Sequence, residues 1–171
     1  MAGQIIYQVD AFTNLVFSGN PAAVCLLDAP RPVGWMRSLA REMNLSETAF
    51  VFPSDVADFR FRYFTPASEI PMAGHPTIST VHALAEEGRI ASQGEVTTVQ
   101  IQLQVGMLTV QRIVRAGEPP RVIMTQKKPV FGATFPHAEI AAAFGLAPAD
   151  LDTRYPVQVV STGTPQLMVL A

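Results

Sequence analysis

Hydrophobic and polar positions change rhythm several times along this chain, and each rhythm predicts an element. Residues 4 to 12, Gln4-Ile5-Ile6-Tyr7-Gln8-Val9-Asp10-Ala11-Phe12, are rich in β-formers and alternate only loosely, as in a strand covered on most of both faces. Thr13-Asn14 punctuate it. Phe17-Ser18-Gly19-Asn20-Pro21 is a turn signature, with glycine for an unusual φ and Asn20 pushed to extended geometry by the proline that follows. Ala22 to Leu27 predicts a second strand, ended by Asp28-Ala29-Pro30-Arg31-Pro32. From Val33 to Asn44, the residues Trp35, Met36, Leu39, Ala40 and Met43 recur at helical steps with Arg37, Arg41 and Glu42 between them, an amphipathic surface helix. Leu45-Ser46-Glu47 then leads into the apolar strand from Thr48 to Pro53. Asp58 to Phe64 alternates cleanly, aromatics inward and Arg60 and Arg62 outward as solvated charges.

The stretch from Pro71 to Ala83 is different. It has helical spacing and no charged residue until Glu86. Val81, Leu84 and Ile78 make one apolar row, while Ser79, Thr80, Ala83 and Ala85 keep the other faces small. A helix without charge on any face is enclosed rather than laid on a surface. Pro76 suits the first helical position, and Gly74 lets backbone or ligand come close. Such a helix start offers unpaired amides and a positive dipole end to an anion. A buried core helix with a proline start and no ligand fits the same residues. Glu86-Glu87-Gly88 finishes it in water, since two carboxylates there oppose the macrodipole.

Val96 to Val105, Gly106, and Met107 to Val114 read as a β-hairpin, and Arg121 to Gln126 as a short strand. Lys127-Lys128-Pro129 is the best boundary in the chain, giving an N-terminal lobe over 1–128 and the start of a truncated second lobe over 129–171. Beyond it, Ala138 to Phe144 predicts a helix capped at Gly145, and Pro156 to Ser161 and Gln166 to Leu170 predict two strands. His137 reads as a surface residue.

Composition narrows the class. Of 171 residues, 49% are hydrophobic and only 15% charged, with a formal net charge of −2, so the chain can bury a large core and is a poor match for nucleic acid. No apolar run approaches the ~18 residues that span a bilayer, and the expected location is the cytoplasm. The single cysteine, Cys25, lies in the apolar run Ala23 to Leu27 and reads as a small buried hydrophobe. No metal site is expected: His82 has no HExxH spacing or acidic pair beside it. There is no GxSxG elbow for a hydrolase and no GxxxxGK loop for a nucleotide. Glu47 stands at a helix-to-strand junction. On local sequence it reads as a loop or capping glutamate; shielded by Phe50, it would suit general acid–base work.

Asp10-Ala11-Phe12-Thr13, Phe17-Ser18-Gly19-Asn20-Pro21, Asn44-Leu45-Ser46-Glu47-Thr48-Ala49-Phe50, Arg62-Tyr63-Phe64-Thr65-Pro66 and Ala73-Gly74-His75-Pro76-Thr77, in this order and spacing, resemble the PhzF phenazine-biosynthesis family. The likeness runs on through Val159-Val160-Ser161-Thr162-Gly163. It covers essentially the whole chain and a little over half of a family member. The resemblance implies an α+β, diaminopimelate-epimerase-like fold: a barrel-shaped sheet around a central helix, one complete lobe plus the start of a second, with the active site between lobes. It implies a PhzF-type isomerase that moves a proton on a small carboxylate-bearing metabolite without a cofactor or metal. Glu47 takes the role of general acid–base, His75 orients the substrate, and Gly74, Pro76, Asn20 and Ser46 bind it. Ala73-Gly74-His75 holds no cysteine, so a two-thiol racemase mechanism is not implied.

The family's second lobe brings further site residues that this chain does not reach. The expectation is therefore a chain inactive by itself, which pairs as a homodimer or associates through the exposed second-lobe face. The competing expectation is a non-catalytic binding or assembly protein that retains the first lobe only.

Overall fold

The computed structural model describes residues 4–171. These fall into two compact units, Met1–Thr125 and Gln126–Ala171.

The first unit is a single sheet wrapped on one helix. Its strands are β1 (Ile6–Ala11), β2 (Asn20–Leu26), β3 (Thr48–Phe52), β4 (Phe59–Phe64), β5 (Glu69–Ile70), β6 (Val96–Leu103), β7 (Gly106–Ile113) and β8 (Arg121–Met124), with helices α1 (Val33–Met43) and α2 (Gly74–Glu86). The sheet order is β1-β2-β3-β4-β6-β7-β8, and β5 pairs with β4. Helix α2 packs on β1 and β2 at one edge of this sheet and on β8 at the other. One helix can touch both edges only if the sheet curls around it, which gives the enclosure expected of an uncharged helix and the barrel-like lobe that the family resemblance implies.

β3 shows why its sequence is continuously apolar, because all five of its residues are buried. Ala49 and Val51 face inward with Val24, Phe61, Tyr63, Val81 and Leu84. Phe50 and Phe52 face outward and are covered by Met36 and Ala40 of α1, together with Cys25, Leu27 and Phe64. A strand covered on both faces has no polar side to alternate. Burial pushes the Cys25 thiol up to about 11, so it serves as a core hydrophobe.

Several local expectations are corrected. β2 begins at Asn20 rather than Ala22, because Asn20 and Pro21 pair with Ala11 and Asp10 of β1. Gly19 is not needed for a left-handed φ. A Cβ there would meet the Ala11 carbonyl oxygen at 2.5 Å, so close backbone approach is what demands glycine. The positive φ in this region falls on Phe12 and Phe17, each at 64°. Arg62 is not a free solvated charge. Its Nε and Nη2 each donate to the Glu69 carboxylate at 2.7 Å, and its guanidinium lies 5.4 Å from the Phe64 ring centre. Helix α2 begins at Gly74, which puts Pro76 third rather than first. The first four amides of a helix lack intrahelical partners anyway, so proline at the third position sacrifices no bond.

The second unit contains β9 (Val130–Phe135), α3 (His137–Phe144), a 3₁₀ turn at Pro148–Asp150, β10 (Val157–Ser161) and β11 (Pro165–Met168). β10 is central, antiparallel to both neighbours. A small core of Ala141, Leu151 and Val157, backed by Phe135 and Ile140, lies between sheet and helix. Two features were not expected from sequence. Val130–Phe135 is a strand, and His137, partly exposed, opens α3 with its Nε2 at 2.9 Å from the Tyr155 carbonyl oxygen. Among the described residues, no helix is long and apolar enough to cross a membrane.

Candidate active site

Glu47 directly precedes β3, whose parallel register with β2 sets Thr48 beside Ala23. Its backbone carbonyl accepts a hydrogen bond from the Ala23 amide at 3.3 Å, so the residue is held as an extension of the strand. Side chains alternate along strands. Glu47 therefore shares the inward face of Ala49 and Val51, toward α2. By the same alternation Asn20 shares the inward face of Ala22 and Val24, at the same end of the sheet, although its own position is exposed.

At that end stands the start of α2. The N-cap is Ala73, in extended geometry, and no side chain caps the helix. Pro76 has no amide to offer. Gly74 and His75 thus present backbone N–H groups without hydrogen-bond acceptors among the described residues. A Cβ on Gly74 would touch only the Met124 methyl at 3.9 Å, so packing within this lobe does not require glycine there.

His75 joins the helix start to the strand end. Its Nε2 lies 3.4 Å from Glu47 Oε2 and 3.4 Å from Ser46 Oγ. The histidine and glutamate side chains are 11% and 21% exposed, enclosed but reachable. The approach to Glu47 is not aligned as a hydrogen bond, and Oε2 is buried without a hydrogen-bond partner among the described residues. Leaving a buried carboxylate oxygen unpaired is unfavourable by roughly 1–3 kcal/mol or more, and such orphans accumulate where a ligand or a reaction needs them. Thr48 Oγ1, on the other face of the strand by the same alternation, is also buried without a partner among the described residues.

The structure thus brings Glu47, Ser46, His75 and Gly74 together. It sets Asn20 at the same end without a hydrogen bond to them, and buries Pro76 in the first turn. Sequence reasoning missed the support beneath this site. Tyr63 Oη lies 2.6 Å from Thr77 Oγ1, which donates to the Ala73 carbonyl at 2.6 Å. Thr77, four residues beyond the N-cap, was the available signal, since a helical threonine can bond the carbonyl four residues back. The hollow lined by Leu27, Asp28 and Arg31 lies at the opposite end of β2 and holds no comparable grouping. Among the described residues no cluster of His, Cys, Asp and Glu has the makings of a metal site. The geometry offers a carboxylate to move a proton, an imidazole beside it, and an amide-lined dipole end to hold negative charge.

Comparison with known proteins follows the same lines. Residues 9–171 match the PhzC–PhzF family, phenazine biosynthesis-like protein. An uncharacterised isomerase of Clostridium acetobutylicum is 36% identical over 170 residues, 96% of this chain and 54% of that protein. The trans-2,3-dihydro-3-hydroxyanthranilate isomerase of Pseudomonas fluorescens is 31% identical over 162 residues, 94% of this chain and 55% of that one. The crystal structure of a Bacillus anthracis phenazine biosynthesis protein of the PhzF family superposes with a TM-score of 0.84 at 35% identity, covering 98% of this chain and 56% of the other. A probable proline racemase from Agrobacterium radiobacter, 15% identical with a TM-score of 0.68 over 98% of this chain and 52% of its own, shares the fold. The chain spans about half the length of the curated relatives it matches. From the motifs, the wrapped helix and these matches together, the chain belongs to the PhzF-type phenazine biosynthesis-like family, whose named members are isomerases and epimerases.

Proposed function

We propose that this chain supplies the first half of the active site of an isomerase that relocates a proton on a small carboxylate-bearing metabolite. The observation that carries this is the buried, unpartnered Oε2 of Glu47, 3.4 Å from His75 Nε2 at the open start of α2. In this reading the Gly74 and His75 amides, with Ser46 and Asn20, bind the substrate carboxylate at the helix end. Glu47 takes a proton from one substrate carbon and returns it to another. Negative charge developing between the two steps is stabilised by the amides and the helix dipole. His75 orients the carboxylate of Glu47 and the substrate. This half of the site contributes no thiol, because Cys25 is buried on the far face of the sheet.

The relative that acts on trans-2,3-dihydro-3-hydroxyanthranilate makes that compound the first substrate to try. Since the matched relatives are nearly twice as long, we expect the 171-residue chain to bind carboxylates without turnover until a second lobe completes the cleft. Association through the exposed apolar side of the second unit, where Phe131 and Met168 stand in water, belongs to the same proposal, as does a cytoplasmic site of action.

The test is proton exchange. The chain is combined with the second half of the Clostridium relative, and deuterium uptake from D2O into the candidate substrate is followed by mass spectrometry. Uptake that is abolished in Glu47→Gln supports the enzyme. Carboxylate binding without any uptake supports instead a binding protein that keeps the lobe and lacks the chemistry.

A further inference from the structure

Helix α2 starts on an alanine, which has no side chain able to cap it. Something else must fix the direction of its first amides, and two buried hydroxyls lie directly beneath them. Thr77 has one hydroxyl proton, and it goes to the Ala73 carbonyl. The 2.6 Å contact between Tyr63 and Thr77 is therefore donated by the tyrosine. Tyr63 is fully buried, and burial, offset only in part by its bond to Thr77, pushes the ionisation of its phenol far above the ordinary range and keeps it a donor. The chain of donors runs Tyr63 to Thr77 to the carbonyl of the N-cap residue. That carbonyl also receives the first intrahelical amide, from Thr77 itself.

The other end of the chain matters equally. Tyr63 pairs with Ala49 in the antiparallel register of β4 and β3, and Ala49 is two residues from Glu47. The strand pair that presents the carboxylate therefore also grips the helix start. We infer that Tyr63, acting through Thr77, is a positioning residue that sets the Gly74 and His75 amides against Glu47. This rests on the carboxylate-binding reading above, in that it explains how the two halves of that site keep their separation.

The experiment uses the 171-residue chain with benzoate as the probe, followed at the Gly74 and His75 amides by ¹H–¹⁵N NMR. Hydrogen exchange of the Thr77 amide is measured alongside, with Ala49 and Val51 in β3 as internal references. Tyr63→Phe and Thr77→Val remove one hydroxyl each at constant shape. Each is expected to weaken benzoate by roughly three- to tenfold and to speed Thr77 exchange by a similar factor, leaving Ala49 and Val51 unmoved. Thr77→Ser, which keeps the hydroxyl, is expected to stay within about twofold of the parent chain. The inference is overturned if Tyr63→Phe binds and exchanges like the parent, or if Thr77→Ser is as impaired as Thr77→Val. Equal acceleration at Ala49, Val51 and Thr77 also overturns it, since that is a core defect and not a positioning one. If the parent chain does not bind benzoate at all, the carboxylate-binding reading fails, and the exchange comparison still decides the relay.

Discussion

The two ends of α2 are built on opposite plans. At the C-terminal end the backbone closes on itself. The Arg89 amide donates to the Leu84 carbonyl at 2.9 Å and the Gly88 amide to Ala85 at 3.0 Å, with Gly88 at φ +67°. This is a Schellman closure, and it leaves Glu86 and Glu87 free to stand in water. Tyr7 Oη donates to the Glu87 carboxylate there. At the N-terminal end nothing closes the helix. Its N-cap is alanine, its first amides are open, and the nearest acid, Glu47, has a buried oxygen without a hydrogen bond. The proposed carboxylate site uses this difference: the closed end needs nothing further, while the open end, beside Glu47, is where the ligand would bind.

The largest disruption to this arrangement is one that removes both ends together. Leu84 is fully buried between α2 and the sheet, and Leu84→Ala should lower stability by about 3 kcal/mol through the cavity it leaves, measured by urea unfolding. An alkaline titration probes the outer layer. The Cys25 thiol is raised from 9.0 to about 11, so the unfolded chain ionises first, and its stabilising effect is whole below pH 9 and lost as pH rises toward 11. Stability should therefore decline over that range, and Cys25→Ala should flatten that part of the unfolding curve. The two ends of α2 should fall together along it.

Smaller changes separate the ends. Gly88→Ala forces a Cβ into the left-handed region and should destabilise by about 1 kcal/mol in thermal unfolding, while benzoate affinity at the far end is unchanged. Glu47→Gln should do the reverse. It removes a charge whose Oε2 is buried without a hydrogen bond, so stability should hold or fall only slightly with loss of the His75 contact, while proton exchange in the assembled protein is lost. A fall of more than about 1 kcal/mol in that variant would mean that Glu47 is a structural residue.

Much of this lobe was legible in the sequence, for physical reasons that differ from element to element. The absence of charge from Pro71 to Ala83 implied enclosure, and α2 is indeed wrapped by the sheet. The alternation over Asp58 to Phe64 marked β4, but it could not show that Arg62 is held by Glu69, because that partner arrives through a turn. The helix start was misplaced by two residues because proline is tolerated anywhere in a first turn. Val130–Phe135 shows no clear alternation and is interrupted by Gly132. It is a strand because β10, more than twenty residues on, pairs with it. Glu47 and His75 came together as a site only through family resemblance. Local sequence left Glu47 as a loop glutamate, and the 3.4 Å that joins it to His75 is a tertiary distance. The Tyr63–Thr77 contact is tertiary in the same sense, and no local pattern announces it.

The most direct measurement is a benzoate titration of the ¹⁵N-labelled chain, read at both ends of α2 in one spectrum. We predict saturable shifts of the Gly74 and His75 amides while Gly88 and Arg89 stay still. Shifts spread evenly over the surface, or concentrated away from Gly74 and His75, would contradict a carboxylate site at the open end of the helix.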